Sequence, residues 1–303
     1  MCGLQGSRKF EQHCCEPAND NAHAGALAGK IDIAVMQSVS RQGEVNPLVE
    51  NYGHVIIDER HHVGAVSFDA ILKRVKAKYV LGLTATPIRR DGQQPIIFMQ
   101  CGPIRYTAVK PTNAPHDLEV IPQLLQKRID LPQEAGIQDV FRHIAVDEGR
   151  TSVIASQIEN SFSQGRKVLV LTERTEHLDA NQAALTGKIP SLFVLHGRMS
   201  KKLRITVVAE LIALPPDEPR VLLATGKLVG EGFDHPPLDT LVLAMPISWT
   251  MTLQQYAGRL HREHATKNDV RVIDFVDTGH PALLRMWEKH KRGYRAMGYK
   301  IKE

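Results

Sequence analysis

Cysteine is scarce in this chain: Cys2, Cys14, Cys15 and Cys101 are the four in 303 residues. Two of them are adjacent and no C-x-x-C pair occurs, so neither a thiolate zinc site nor a disulfide framework is expected. Free thiols fit a reducing compartment, and a cytoplasmic location is the expectation. No apolar run approaches the ~20 residues of a membrane-spanning helix, and the start lacks a signal-peptide core. His54, His61 and His62 do not follow H-E-x-x-H spacing, which argues against zinc there. Repeats of short period are also missing.

What is present is ordinary for a soluble globular protein, with 43% hydrophobic and 23% charged residues. The length suits two domains. A formal net charge of +5 and a pI near 9.0 allow a nucleic-acid partner without demanding one.

Residues 1–30 have no sustained period and read as a poorly structured N-terminal segment. Short apolar runs then recur: "IDIAVMQSV" from Ile31, "HVIID" from His54, "YVLGLTAT" from Tyr79, "KVLVLTE" from Lys167, "SLFVLHG" from Ser191, "RVLLATG" from Arg220, "TLVLAMP" from Thr240 and "VRVIDFVD" from Val270. They are near-continuous rather than alternating, as strands covered on both faces are. Helical spacing lies between them, with Phe68, Ile71, Leu72 and Val75 on one stripe and Leu203, Val207, Leu211 and Leu214 on another. The alternation predicts a parallel α/β architecture. Pro111, Pro115, Pro122 and Pro132 punctuate a weakly periodic stretch. That stretch, 111–149, reads as a linker between a first domain at 31–110 and a second at 150–303.

Four patterns carry chemistry. "HVIID" ends on Asp58 and Glu59, two carboxylates at the carboxyl end of a buried strand, where parallel sheets bind ligands. One acid can hold a magnesium ion, and its neighbour can orient a water for attack on a phosphate. A merely solvated strand end is the plainer alternative. "LTATP" places Thr84, Ala85 and Thr86 at the end of another strand, where hydroxyls can bridge a phosphate site to a neighbouring surface. A simple turn would read the same way. "ATGKLVGEGFDHPP" supplies Gly226, Gly230 and Gly232 in a loop suited to backbone contact with phosphates. "TLQQYAGRLHRE", placed on a helix, puts Leu253, Ala257 and Leu260 on one face. Gln255, Arg259 and Arg262 fall on the opposite face. Guanidiniums suit developing phosphate charge, although a solvated basic stripe is the common explanation.

Taken in order, these motifs resemble those of superfamily 2 helicases and translocases of the DEAD/DEAH class, over roughly residues 31–280. The resemblance implies two RecA-like domains with mainly parallel sheets and ATP bound between them. Asp58 would hold Mg²⁺, Glu59 would activate the attacking water, and His61 would couple the nucleotide to the second domain. Thr84, Ala85 and Thr86 would link hydrolysis to nucleic-acid binding. Gln37 and Ser38, in "MQS", look like the short motif that touches the tracking strand. His196 and Gly197, in "LHGRMSKKLR", resemble the second domain's H-G motif. Thr225 and Gly230 would contact nucleic acid, and Gly232 and Asp234 the nucleotide. Gln255, Arg259 and Arg262 match the family's last motif, with both arginines as fingers on the transferring phosphate. DNA is expected over RNA as the partner, and no membrane.

One family element has no counterpart. G-x-x-x-x-G-K-[ST], whose backbone and lysine cradle the phosphates, is not found. "GALAGKI", from Gly25, is one residue short between its glycines and has no hydroxyl after Lys30. The expectation is therefore an incomplete first domain, lacking a central strand and open on its apolar faces. A missing upstream segment or a partner chain would complete it. An ATPase-dead binding remnant and the motor subunit of a restriction or defence system remain as alternatives.

Overall fold

The computed structural model describes residues 32–34, 36–41, 44–58, 65–84, 94–107, 117–129, 131, 135–226, 234–247, 250–262, 264–265 and 267–302. It divides into two compact units, Met1–Arg105 and Tyr106–Glu303, each taken by itself below.

In the first unit, "HVII" and "YVLG" form β3 (His54–Ile57) and β4 (Tyr79–Gly82), paired in parallel with Ile56 opposite Leu81. The helix α2 (Ala65–Arg74) joins them in sequence, as a crossover between parallel strands requires. A second helix, α3 (Gln94–Cys101), follows. The run from Ile31 departs from its expectation. Gln37 and Ser38 interrupt it, and Met36–Val39 is a helical turn, α1. The chain then folds back as the antiparallel pair β1 (Ser40–Arg41) and β2 (Glu44–Val45). One face of the β3–β4 pair is open: Ile56 is 60% exposed and Leu81 43%. Residues 1–30, including "GALAGKI" up to Lys30, lie outside the described residues.

The second unit is built on seven strands, all parallel. They are β5 (Asp117–Arg128), β6 (Lys167–Thr172), β7 (Leu192–Leu195), β8 (Arg220–Thr225), β9 (Thr240–Leu243), β10 (Asp269–Gly279) and β11 (Lys300–Ile301). Their spatial order is β11-β5-β10-β9-β6-β8-β7. The near-continuous apolar runs are explained by layers on both faces. Val168, Val170, Val221 and Leu223 point to a core made with Ile154 and Ile158 of α5 (Glu148–Ser163) and Leu178 and Leu185 of α6 (Thr175–Leu185). Leu169, Leu171, Leu222 and Ala224 point the other way. There they meet Leu211 of α7 (Lys201–Ala213), Leu253 and Leu260 of α8 (Thr250–Leu260), and Tyr294 of α9 (Pro281–Met297). Each such leucine contributes about 1.5–3 kcal/mol by leaving water.

The stretch 111–149 holds more than a connection. Its β5 lies between β11 and β10, and α4 (Ile137–Ala145) buries Val140 and Ile144 against Met245 and Leu283. Both belong to the second unit. Pro122 sits inside β5 because its missing N–H faces the outer edge. Val120, two residues earlier, accepts there from Lys302, the residue just past the two-residue β11, which has ended before Pro122 is reached.

Candidate active site and nucleic-acid edge

In the first unit, Asp58 and Thr84 leave adjacent strands at the same carboxyl edge. Leu83 donates its N–H to the Ile57 carbonyl at 2.8 Å, which carries the β3–β4 pairing past both strand ends. Asp58 is exposed and Thr84 half-buried. Ser38 is exposed beside Gln37 on the helical turn α1. Glu59, His61, Ala85 and Thr86 lie outside the described residues.

In the second unit, His196, Gly197 and Thr225 lie along the carboxyl edge of the sheet. Thr172 of β6 stands opposite Thr225 of β8, and Leu195 of β7 stands opposite Ala224. The next residue after β7, His196, therefore comes level with Thr225. His196 Nδ1 is buried without a hydrogen-bond partner among the described residues. Gly197 follows in the turn. Gly226 continues β8 directly beneath the Tyr256 hydroxyl, so α8 crosses the end of that strand. Burial raises the Tyr256 phenol, and the Glu173 carboxylate adds to the rise. Glu173 follows β6 and is itself held above the ordinary carboxylate range by burial, with Arg174 opposing. Gly230 and Gly232 lie outside the described residues.

Helix α8 presents the faces expected of it. Leu253, Ala257 and Leu260 are fully buried, while Gln255 and Arg259 are half-exposed on the opposite side. Arg262 departs from the expectation of one continuous helix. The helix ends at Leu260, and His261 donates back to the Gly258 carbonyl at 3.1 Å, a tighter turn than an α-helix makes. Beyond that turn Arg262 meets Asp234 at 3.4 Å, both side chains largely exposed.

Several polar groups behind the edge have no counterpart in the motifs. Lys267 donates to the Leu260 and Arg262 carbonyls at 2.8 and 2.9 Å. Arg150 pairs with Asp277 of β10 and donates to the Ala244 carbonyl at 2.6 Å. His290 stands between Asp274 and the Ile247 carbonyl. Their sequence separations leave no local pattern to find them by. A metal ligand set is not formed among the described residues: no three His, Cys, Asp or Glu side chains converge. Asp58, a single exposed carboxylate, fits a magnesium ion held mainly through water and phosphate oxygens.

Comparison with known proteins agrees with this arrangement. Residues 5–89 match the family described as type III restriction enzyme, res subunit, and residues 150–264 match the helicase conserved C-terminal domain. Among curated relatives, L396 of Acanthamoeba polyphaga mimivirus, provisionally named an ATP-dependent RNA helicase, is 22% identical over 282 residues. That match covers 89% of this chain and 52% of the relative. D10 of Escherichia phage T5, also provisionally named a helicase, is 27% identical over 275 residues, covering 89% of this chain and 58% of the relative. The chain thus spans about half the length of these curated relatives. Among solved structures, S. cerevisiae Dbp5 bound to RNA and ADP BeF3 superposes with a TM-score of 0.58 at 11% identity, over 84% of this chain and 60% of that one. At that identity the likeness speaks for the RecA-like fold alone. The res subunit family and the helicase C-terminal domain, matched in that order along the chain, support a superfamily 2 helicase.

Proposed function

We propose that this chain is the motor of an ATP-dependent nucleic-acid helicase or translocase, with DNA as the first substrate to test. What supports the reading is the half-exposed Gln255 and Arg259 on the face of α8 opposite its buried one, followed by Arg262 paired with Asp234. Guanidiniums there can stabilise charge on a transferring phosphoryl group. In the first unit, Asp58 would hold Mg²⁺ and Thr84 would couple the nucleotide edge to bound nucleic acid. Mg²⁺, when bound, supplies charge neutralisation on the phosphates. Glu59 as water activator, His61, Ala85, Thr86, Gly230 and Gly232 keep the roles that the motifs imply. Ser38, Gln37, His196, Gly197 and Thr225 would meet the nucleic-acid backbone.

The open apolar side chains Ile56 and Leu81 support a further part of the reading. A parallel sheet is stable when covered on both faces, so an upstream segment or a partner chain would cover this one and bring the phosphate loop. A second reading, the motor subunit of a restriction or defence system, is favoured by the match to the res subunit family at residues 5–89.

The test is ATP hydrolysis by the purified chain and by its full-length parent, with and without single-stranded DNA or RNA. Nucleic-acid-stimulated turnover in the parent supports the motor. Binding that weakens steeply with salt, but without turnover in either form, identifies an ATPase-dead remnant instead. A salt-independent response to both nucleic acids overturns the nucleic-acid partner altogether.

A further inference from the structure

The helix that carries Arg259 is flanked by buried cations from elsewhere in the chain, on the segment before it and at its C-terminal end. On its N-terminal side, Ala244–Ile247 leads from β9 toward α8. Arg150 spans this segment and β10, with Nη1 2.6 Å from the Ala244 carbonyl and Nε 3.1 Å from Asp277 Oδ1. His290, on α9, does the same three residues further on. One ring nitrogen lies 2.7 Å from Asp274 Oδ2 and the other 2.6 Å from the Ile247 carbonyl. Both partners can only accept, so both ring nitrogens must donate and the ring is an imidazolium. Tyr294 donates to the same Asp274 oxygen at 2.8 Å, leaving the carboxylate well satisfied.

On the C-terminal side the grip is Lys267. Its ammonium is buried and takes the carbonyls of Leu260 and Arg262 together. Leu260 is the last helical residue, and Arg262 is the residue aimed at Asp234. A lysine capping final carbonyls is favourable at a helix C-terminus, where the backbone dipole is negative. Here it also fixes the backbone of an arginine that the proposed function directs at phosphate.

We propose that Lys267 is a positioning residue for Arg259 and Arg262, with Arg150 and His290 holding the segment that leads toward the same helix. The proposal rests on the reading of those arginines as phosphate-directed. All three cations act through backbone carbonyls, those of Ala244, Ile247, Leu260 and Arg262. Their work is to prevent α8 from sliding or fraying as charge develops on the phosphate. A misplacement of roughly 1 Å at such a group can cost about 100-fold in rate.

The experiment uses the full-length protein and the variants Lys267→Met, Lys267→Arg and His290→Gln. Lys267→Met keeps the stem and deletes the donor. Its kcat for ATP is expected to fall by about 100-fold with KM for ATP nearly unchanged. Lys267→Arg, which restores donors, is expected to recover most of that loss. Hydrogen exchange is expected to rise in Lys267→Met at 250–262 while β8 and β9 stay protected. His290→Gln is the second variant, should Lys267→Met fail to fold, and is expected to raise exchange in α8 from the segment before it. Unchanged kcat in Lys267→Met, or exchange that rises uniformly over the second unit, overturns the proposal. If the wild-type protein itself lacks turnover, the motor reading fails. The exchange pattern then decides alone: a rise confined to 250–262 keeps the clasp, and no rise overturns it.

Discussion

Asp234 and Arg262 meet at 3.4 Å, with 57% of the arginine side chain and 44% of the aspartate open to solvent. A pair so exposed contributes at most about 1 kcal/mol to stability. Under the proposed function, its position at the ends of two family motifs serves chemistry rather than the fold. Arg262→Ala and Arg259→Ala should leave the melting temperature nearly unmoved. Each should lower ATP turnover in the full-length protein by roughly 10³-fold, the scale of an arginine finger. Nucleic-acid affinity at fixed salt should persist. Steady-state hydrolysis alongside a binding titration checks this, and undiminished turnover would sink the finger assignment.

Arg150 and Asp277 behave differently because both are buried. Removing one partner leaves the other charged in a dry setting, at a cost of about 3–5 kcal/mol. Arg150→Met should therefore shift the urea midpoint sharply downward, and Asp277→Asn should do likewise. The double variant should be less damaged than the sum of the two, since neither charge is then stranded. Additive losses would mean that the two side chains do not depend on each other.

Strand ends were the most legible feature of this chain. A buried parallel strand needs an unbroken apolar run, and most such runs here, though not that of β9, close on a polar residue. Asp58, Thr84, His196 and Thr225 could all be placed in this way. What escaped had non-local causes. The β5 strand was hidden by Pro122, whose missing donor is harmless only because β11 is two residues long. The end of α8 was hidden because it is set by Lys267, which lies seven residues past Leu260 and beyond the helix itself. Arg150 and Asp277 are 127 residues apart, and no window of local pattern can relate them. Residues such as Glu59 and Gly232 keep their motif-based assignment alone.

Gly226 tests how α8 is seated on β8. A β-carbon built there would run into the Tyr256 hydroxyl and ring. Tyr256 is anchored among buried neighbours, so it has little room to yield. Gly226→Ala should destabilise the second unit by about 1–3 kcal/mol, the usual range for overpacking. In a Tyr256→Ala background the same change should be nearly neutral. Equal costs in both backgrounds, measured by denaturant unfolding, would show that the two residues are not in contact.

His177 predicts the direction of acid sensitivity. It is fully buried on α6, with Nδ1 3.0 Å from the Thr172 hydroxyl and Nε2 without a partner among the described residues. Burial first, and the charge of Arg150 second, lower its pKa from 6.5 to about 3. In the unfolded chain the same ring takes its proton near 6.5. Above that value neither state is protonated, and the full stability is present. As pH falls from 6.5 toward 3, the unfolded chain binds a proton that the folded one refuses. Stability then drops by up to about 1.4 kcal/mol per pH unit. His235 adds to this fall, since burial and then Arg220 lower it to about 4. His290 works the other way. Burial opposes its charge, but Asp274 and its hydrogen bonds outweigh that and raise the pKa. Its contribution is complete below the unfolded value and is lost as pH rises through the folded one, so it does not cause the acid loss. His177→Gln should therefore flatten the decline in urea midpoint between about pH 6.5 and about pH 4.5, even if it costs stability at neutral pH. A decline as steep as that of the wild type would assign the acid sensitivity to other groups.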